Sequence, residues 1–136
     1  MADSVVAVEW TGRGLEFTGG GPRGPVVLLD GNGRAGVSPV TTLLLALAAC
    51  TGSDVVEIVQ KMRVPIGSLA VTVEGGRMPE PPRRFHTIRL LYRAGGVSEA
   101  DRDKVRRALT LSREKYCSVL HTLRTDLDLS FELEFA

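Results

Sequence analysis

Apolar and polar positions change their rhythm several times along the chain, and each change marks an element. Residues 5–10 and 14–18 read as two short strands around Thr11-Gly12-Arg13, and the cluster Gly19-Gly20-Gly21-Pro22 then breaks the pattern. Residues 25–30 form a third strand candidate, closed by Gly31-Asn32-Gly33, a strong turn signal. Ser38-Pro39 carries the N-cap and first-position signature of a helix start. From there to about Arg63, apolar residues recur with helical spacing at Leu43, Leu44, Leu47, Cys50, Val55, Ile58, Val59 and Met62. The stretch 43–49 is apolar all round, which predicts burial on every side.

Beyond the helix stop at Pro65-Ile66-Gly67, residues 69–74 alternate as a strand. Residues 75–84, rich in glycine, proline and arginine, read as a long exposed connection. A strand over 87–92 follows, then a helix capped by Ser98 that runs to Leu109, and a second helical piece over 114–123. Clean alternation over 127–135 closes the chain as a half-buried strand. The pattern predicts an α+β class, with helices laid on antiparallel sheet. The length of 136 residues suits one domain, 1–136.

Composition and charge narrow the function classes. With 43% hydrophobic and 24% charged residues, the chain has the makings of a packed core. A net charge of +1 and a pI near 7.8 give no basic face, which argues against a nucleic-acid partner. The start Met1-Ala2-Asp3-Ser4 lacks the basic and apolar blocks of a secretory leader. The apolar run 43–50 is too short to span a bilayer, so the expectation is a cytoplasmic protein without a membrane partner. In that compartment a disulfide tends to be transient and catalytic.

The candidate chemistry rests on two cysteines placed on different helical segments. Cys50 shares a helical face with Leu47 and Asp54. Cys117, in Ser112-Arg113-Glu114-Lys115-Tyr116-Cys117, falls near a helix start beside two cations, which would lower its pKa. A helical cysteine also serves as a small buried hydrophobe, and spacing alone does not separate the two roles. His86 and His121 form no zinc spacing with either cysteine, so no metal site is expected, and no cofactor motif is present. Gly19-Gly20-Gly21 lacks the lysine of a phosphate loop.

The block Ser38-Pro39-Val40-Thr41-Thr42-Leu43-Leu44-Leu45-Ala46-Leu47-Ala48-Ala49-Cys50 resembles the OsmC/Ohr signature. The continuation from Asp54 to Arg63 strengthens the likeness, and the segment from Leu111 to Val119 resembles the second-cysteine region of the YhfA-like branch. The resemblance implies an OsmC-like fold, in which antiparallel sheets wrap around central helices in an intertwined homodimer whose sites draw on both subunits. It implies a thiol-dependent peroxidase of oxidative and osmotic stress defence, acting on organic hydroperoxides and also on hydrogen peroxide. Cys50 would be the peroxidatic thiol and Cys117 the resolving one, with an external reductant such as a lipoyl group or a small thiol. In the better-studied members an acidic residue near the start of the cysteine helix pairs with an N-terminal arginine. This chain has Val40, Thr41 and Thr42 there, and Arg13, Arg23 or Arg34 as the arginine candidates. The missing carboxylate favours the alternative, a non-catalytic OsmC-like module that binds an apolar small molecule.

Overall fold

The computed structural model describes residues 2–21 and 23–136. They parse into two compact units, one ending at Leu43 and the other beginning at Leu44. In the first unit, β1 (Ala7–Trp10), β2 (Glu16–Gly20) and β3 (Val27–Asp30) form an antiparallel three-stranded meander in sequence order. The turn after β3 is built on Asp30. Its carboxylate accepts the amides of Asn32, Arg34 and Ala35 at 2.8, 3.1 and 2.9 Å. These bonds, that from Ala35 foremost, hold its pKa below the usual carboxylate range.

Helix α1 (Pro39–Lys61) starts in the first unit and continues into the second. Its start follows the sequence signal. Ser38 Oγ accepts the Thr41 amide at 3.2 Å, and Pro39 occupies the first position, where no amide is needed. Its end lies ahead of Pro65: the Val64 amide reaches back to the Val59 carbonyl at 2.9 Å, with Arg63 in the left-handed region at φ 59°.

In the second unit, β4 (Ser68–Arg77), β5 (Phe85–Gly95) and β6 (Asp128–Phe135) form a sheet of order β4-β5-β6. The chain between β5 and β6 carries a 3-10 turn (Glu99–Asp101), α2 (Arg102–Leu111), a π-turn (Ser112–Tyr116) and α3 (Ser118–Thr122). Leu47, Val55 and Val59 of α1 join Ile88, Leu90, Tyr92 and Ala94 of β5 and Val105, Ala108 and Leu109 of α2 in one buried cluster. The class is α+β, as the sequence pattern predicts.

Three expectations need correction, and one property of α1 stands beside them. The sheet is not wholly antiparallel, because β6 pairs parallel with β5; a connection that carries helices returns the chain to the sheet in the same direction. Residues 75–77 are strand rather than loop, since Gly75 and Gly76 sit in register with Ile88 and Thr87, and cross-strand bonding overrides their weak propensity. The stretch 43–49 is not buried all round within one chain, for Leu43 and Leu45 stay 41% and 52% exposed. Finally, α1 as a whole is long and apolar enough to cross a membrane, which the run 43–50 by itself is not.

Candidate active site

Cys50 owes its position to the buried stripe of α1. Leu47, Thr51 and Val55 repeat every four residues against the core, and Cys50 lies one residue round from that stripe, half-buried. Asp54 follows one turn later. Cys117 is delivered by a different device. After α2 the helix widens into the π-turn, closed by a bond of 2.9 Å from the Cys117 amide to the Ser112 carbonyl. Cys117 then leaves helical geometry, at φ −71° and ψ 100°, and its Sγ accepts the Leu120 amide at 3.4 Å to cap α3. The helical piece read over 114–123 is therefore two pieces broken at the cysteine.

The Cys50 thiol lies near enough to Cys117 to act on its titration. Cys117 is completely buried, and its pKa is pushed up to about 11. Burial is the main cause; the Cys50 thiol and the charge of Asp54 add to it, against the Leu120 amide. The sequence reading, that neighbouring cations lower this pKa, is thus reversed. Those cations are turned elsewhere: Arg113 lies 4.4 Å from the centre of the Phe131 ring, and the Lys115 ammonium 5.2 Å from that of Tyr116.

Beside the thiols runs a chain of buried hydroxyls that the sequence reading missed. Thr51 Oγ1 lies 2.7 Å from the Tyr92 hydroxyl and 2.9 Å from Ser112 Oγ, and Ser112 Oγ donates to Asp54 Oδ2 at 2.8 Å. Each hydroxyl has a single proton to give. Since Ser112 donates to the carboxylate, it must accept from Thr51, and Thr51 must accept from Tyr92. All three bonds therefore point toward Asp54. Burial pushes the Tyr92 hydroxyl pKa up, with the Thr51 bond opposing it. The available signal was Thr51 itself, a polar residue at a core position of α1 between Leu47 and Val55.

An open groove of about 550 Å³ lies next to Asp54, with Ile58, Met62, Leu111 and Tyr116 as its apolar lining. The arginine candidates belong to the first unit. Arg13 is paired with Glu16 at 3.3 Å, Arg23 is exposed, and the Arg34 backbone serves the Asp30 turn. Among the described residues, no group of three or more His, Cys, Asp and Glu side chains could hold a metal ion.

Known proteins give this arrangement its context. The chain is 37% identical over 128 residues to protein YhfA of Escherichia coli (strain K12), covering 93% of this chain and 94% of that one. A hypothetical protein from Aquifex aeolicus VF5 superposes with a TM-score of 0.86 at 27% identity, covering 100% of this chain and 98% of that one. The organic hydroperoxide resistance protein OhrB of Bacillus subtilis shares the fold, with a TM-score of 0.65 at 17% identity and 98% of both chains covered. The sequence model described as OsmC-like protein matches residues 30–132, a span that takes in both cysteines and all four residues of the hydroxyl chain. By this match over most of its length, the chain belongs to the OsmC-like family.

Proposed function

We propose that this protein is a thiol-dependent hydroperoxide reductase in which Cys50 is the peroxidatic residue and Cys117 the resolving one. What supports the reading is the nearness of the two thiols, one half-exposed and one buried, in a member of the OsmC-like family. Neighbours of the same fold include proteins named for organic hydroperoxide resistance. Only a thiolate attacks a peroxide. Cys117, with its raised pKa and no exposure, keeps its proton at neutral pH and is a poor first nucleophile. Cys50 is left to attack. Its sulfur takes the distal oxygen, the O–O bond breaks, and the alkoxide leaves as the alcohol once protonated. The Cys117 thiol then displaces hydroxide from the Cys50 sulfenic acid, forming the disulfide and releasing water. An external thiol, lipoyl or small, returns two electrons. The leucine-rich stretch of α1 ahead of Cys50 favours organic hydroperoxides over hydrogen peroxide.

The 136 residues act as one OsmC-like domain, a reading supported by a family match that runs from one compact unit into the other. The active form is a homodimer, for which the exposed leucines of α1 speak. A second reading, a non-catalytic module for an apolar small molecule, is favoured by the first turn of α1, which has no acidic residue. One experiment separates the two. Reduced protein is mixed with stoichiometric cumene hydroperoxide, and free thiols are counted over seconds for the native chain, Cys50→Ser and Cys117→Ser. The enzyme reading expects rapid loss of both thiols, and a lasting sulfenic acid only in Cys117→Ser. Thiols that survive at background rates leave the binding module.

A further inference from the structure

Among the described residues, Ser112 alone is hydrogen-bonded both to α1 and to Cys117. Its hydroxyl sits between Thr51 and Asp54 of α1, which lie one and four positions beyond Cys50. Its carbonyl holds the Cys117 amide across the π-turn. The side chain is completely buried, as is Thr51, and the bonds span 61 and 58 residues of sequence. A hydroxyl used once as donor and once as acceptor cannot rotate freely, so the π-turn is fixed in rotation and depth against α1. A π-turn is otherwise a high-energy insertion that a helix tends to relieve.

We infer that Ser112 is a positioning residue, clamping the Cys117 segment onto α1 so that the two sulfurs are held at bonding approach before oxidation. The clamp acts on closure of the disulfide, in which the sulfenic S–O bond breaks, the S–S bond forms, and the thiol proton leaves with hydroxide as water. It leaves the attack of Cys50 on peroxide untouched. Only the sulfenic acid step of this inference rests on the peroxidase reading; the holding of the two sulfurs does not.

Two measurements test the clamp separately from the reaction. In the first, the native chain, Ser112→Ala, Thr51→Val and Thr51→Ser are equilibrated in buffers of reduced and oxidised glutathione, and the effective concentration of one thiol at the other is read. Ser112→Ala and Thr51→Val are expected to lower it about tenfold or more, while Thr51→Ser, which keeps the hydroxyl, stays within about twofold of the native chain; these factors correspond to loss of a buried hydrogen bond. In the second, cumene hydroperoxide is added and dimedone traps the sulfenic acid. Both hydroxyl-deleting variants should form it at the native rate and close the disulfide about tenfold more slowly. A general loss of structure would instead slow both steps and would not be rescued by Thr51→Ser. Effective concentrations at the native value in Ser112→Ala and Thr51→Val overturn the clamp. Thr51→Val is nearly isosteric, so it decides the question if Ser112→Ala fails to fold. If Cys117→Ser makes no sulfenic acid, the peroxidase reading falls while the glutathione measurement still stands.

Discussion

Cys117 keeps its proton because the interior disfavours its thiolate and because Cys50 and Asp54 lie close by. A group that binds its proton more tightly folded than unfolded ties stability to pH. From the ordinary value of 9.0 to about 11, the unfolded chain has given up this proton and the native one has not. Reduced protein should therefore lose stability as pH rises through that window, by roughly 3 kcal/mol in all, at about 1.4 kcal/mol per pH unit. Below pH 9 this contribution is fully present. Urea unfolding at pH 8 and pH 10.5, for the native chain and Cys117→Ser, checks it: the extra alkaline loss should vanish in the variant, and equal losses in both would refute it. At this scale the sequence is uneven. The two cysteines were legible as candidates through their motifs. Thr51, Tyr92 and Ser112 were not, because their bonds join residues 41 and 61 apart, and a lone hydroxyl gives no hint of a distant partner. The fate of Arg113 and Lys115 was misread for a related reason: closeness in sequence says nothing about where a long side chain turns.

Elements were read well where local chemistry decides them and poorly where distant pairing does. The Ser38 cap and the Pro39 start of α1 follow from residue type alone. The direction of β6 does not, because its alternating pattern is the same in parallel and antiparallel pairing. Nor does the π-turn before Cys117, which exists because buried bonds hold it. The end of α1 yields a direct prediction. Arg63 occupies the left-handed position of a helix-terminating motif that glycine fills at less steric cost. Arg63→Gly should raise stability by about 0.5–1 kcal/mol, the relief of the Cβ penalty exceeding the added freedom of the unfolded chain. A midpoint of denaturation that falls, with the slope unchanged, would show that the Arg63 side chain contributes more than its backbone costs.

The molecule taken whole shows too much apolar surface for a chain that stands alone. Of α1, only Leu47, Thr51, Val55 and Val59 are fully buried, while Val40, Leu43 and Leu45 remain 38%, 41% and 52% exposed. In the meander, Val6, Trp10 and Val26 are 75%, 60% and 76% exposed. Patches of this kind call for a covering surface. A bilayer fits α1 poorly, since Thr51 and Asp54 near its middle are bonded to Tyr92 and Ser112 of its own chain, and Glu57 and Lys61 pair on its last turns. The homodimer proposed above would cover the apolar face of α1 formed by Leu45, Ala48, Ala49, Gly52 and Val56. Covering an apolar face in this way removes area worth about 25 cal/mol per Å² from water, before the costs of association. Light scattering should therefore return twice the 14.6 kDa of one chain at micromolar concentration. Leu45→Glu, an exposed position that costs a single chain little, should weaken the assembly at least tenfold by placing charge in the shared face. A native chain that runs at the mass of one protomer would sink the dimer, and a Leu45→Glu variant that still dimerises would move the contact away from α1.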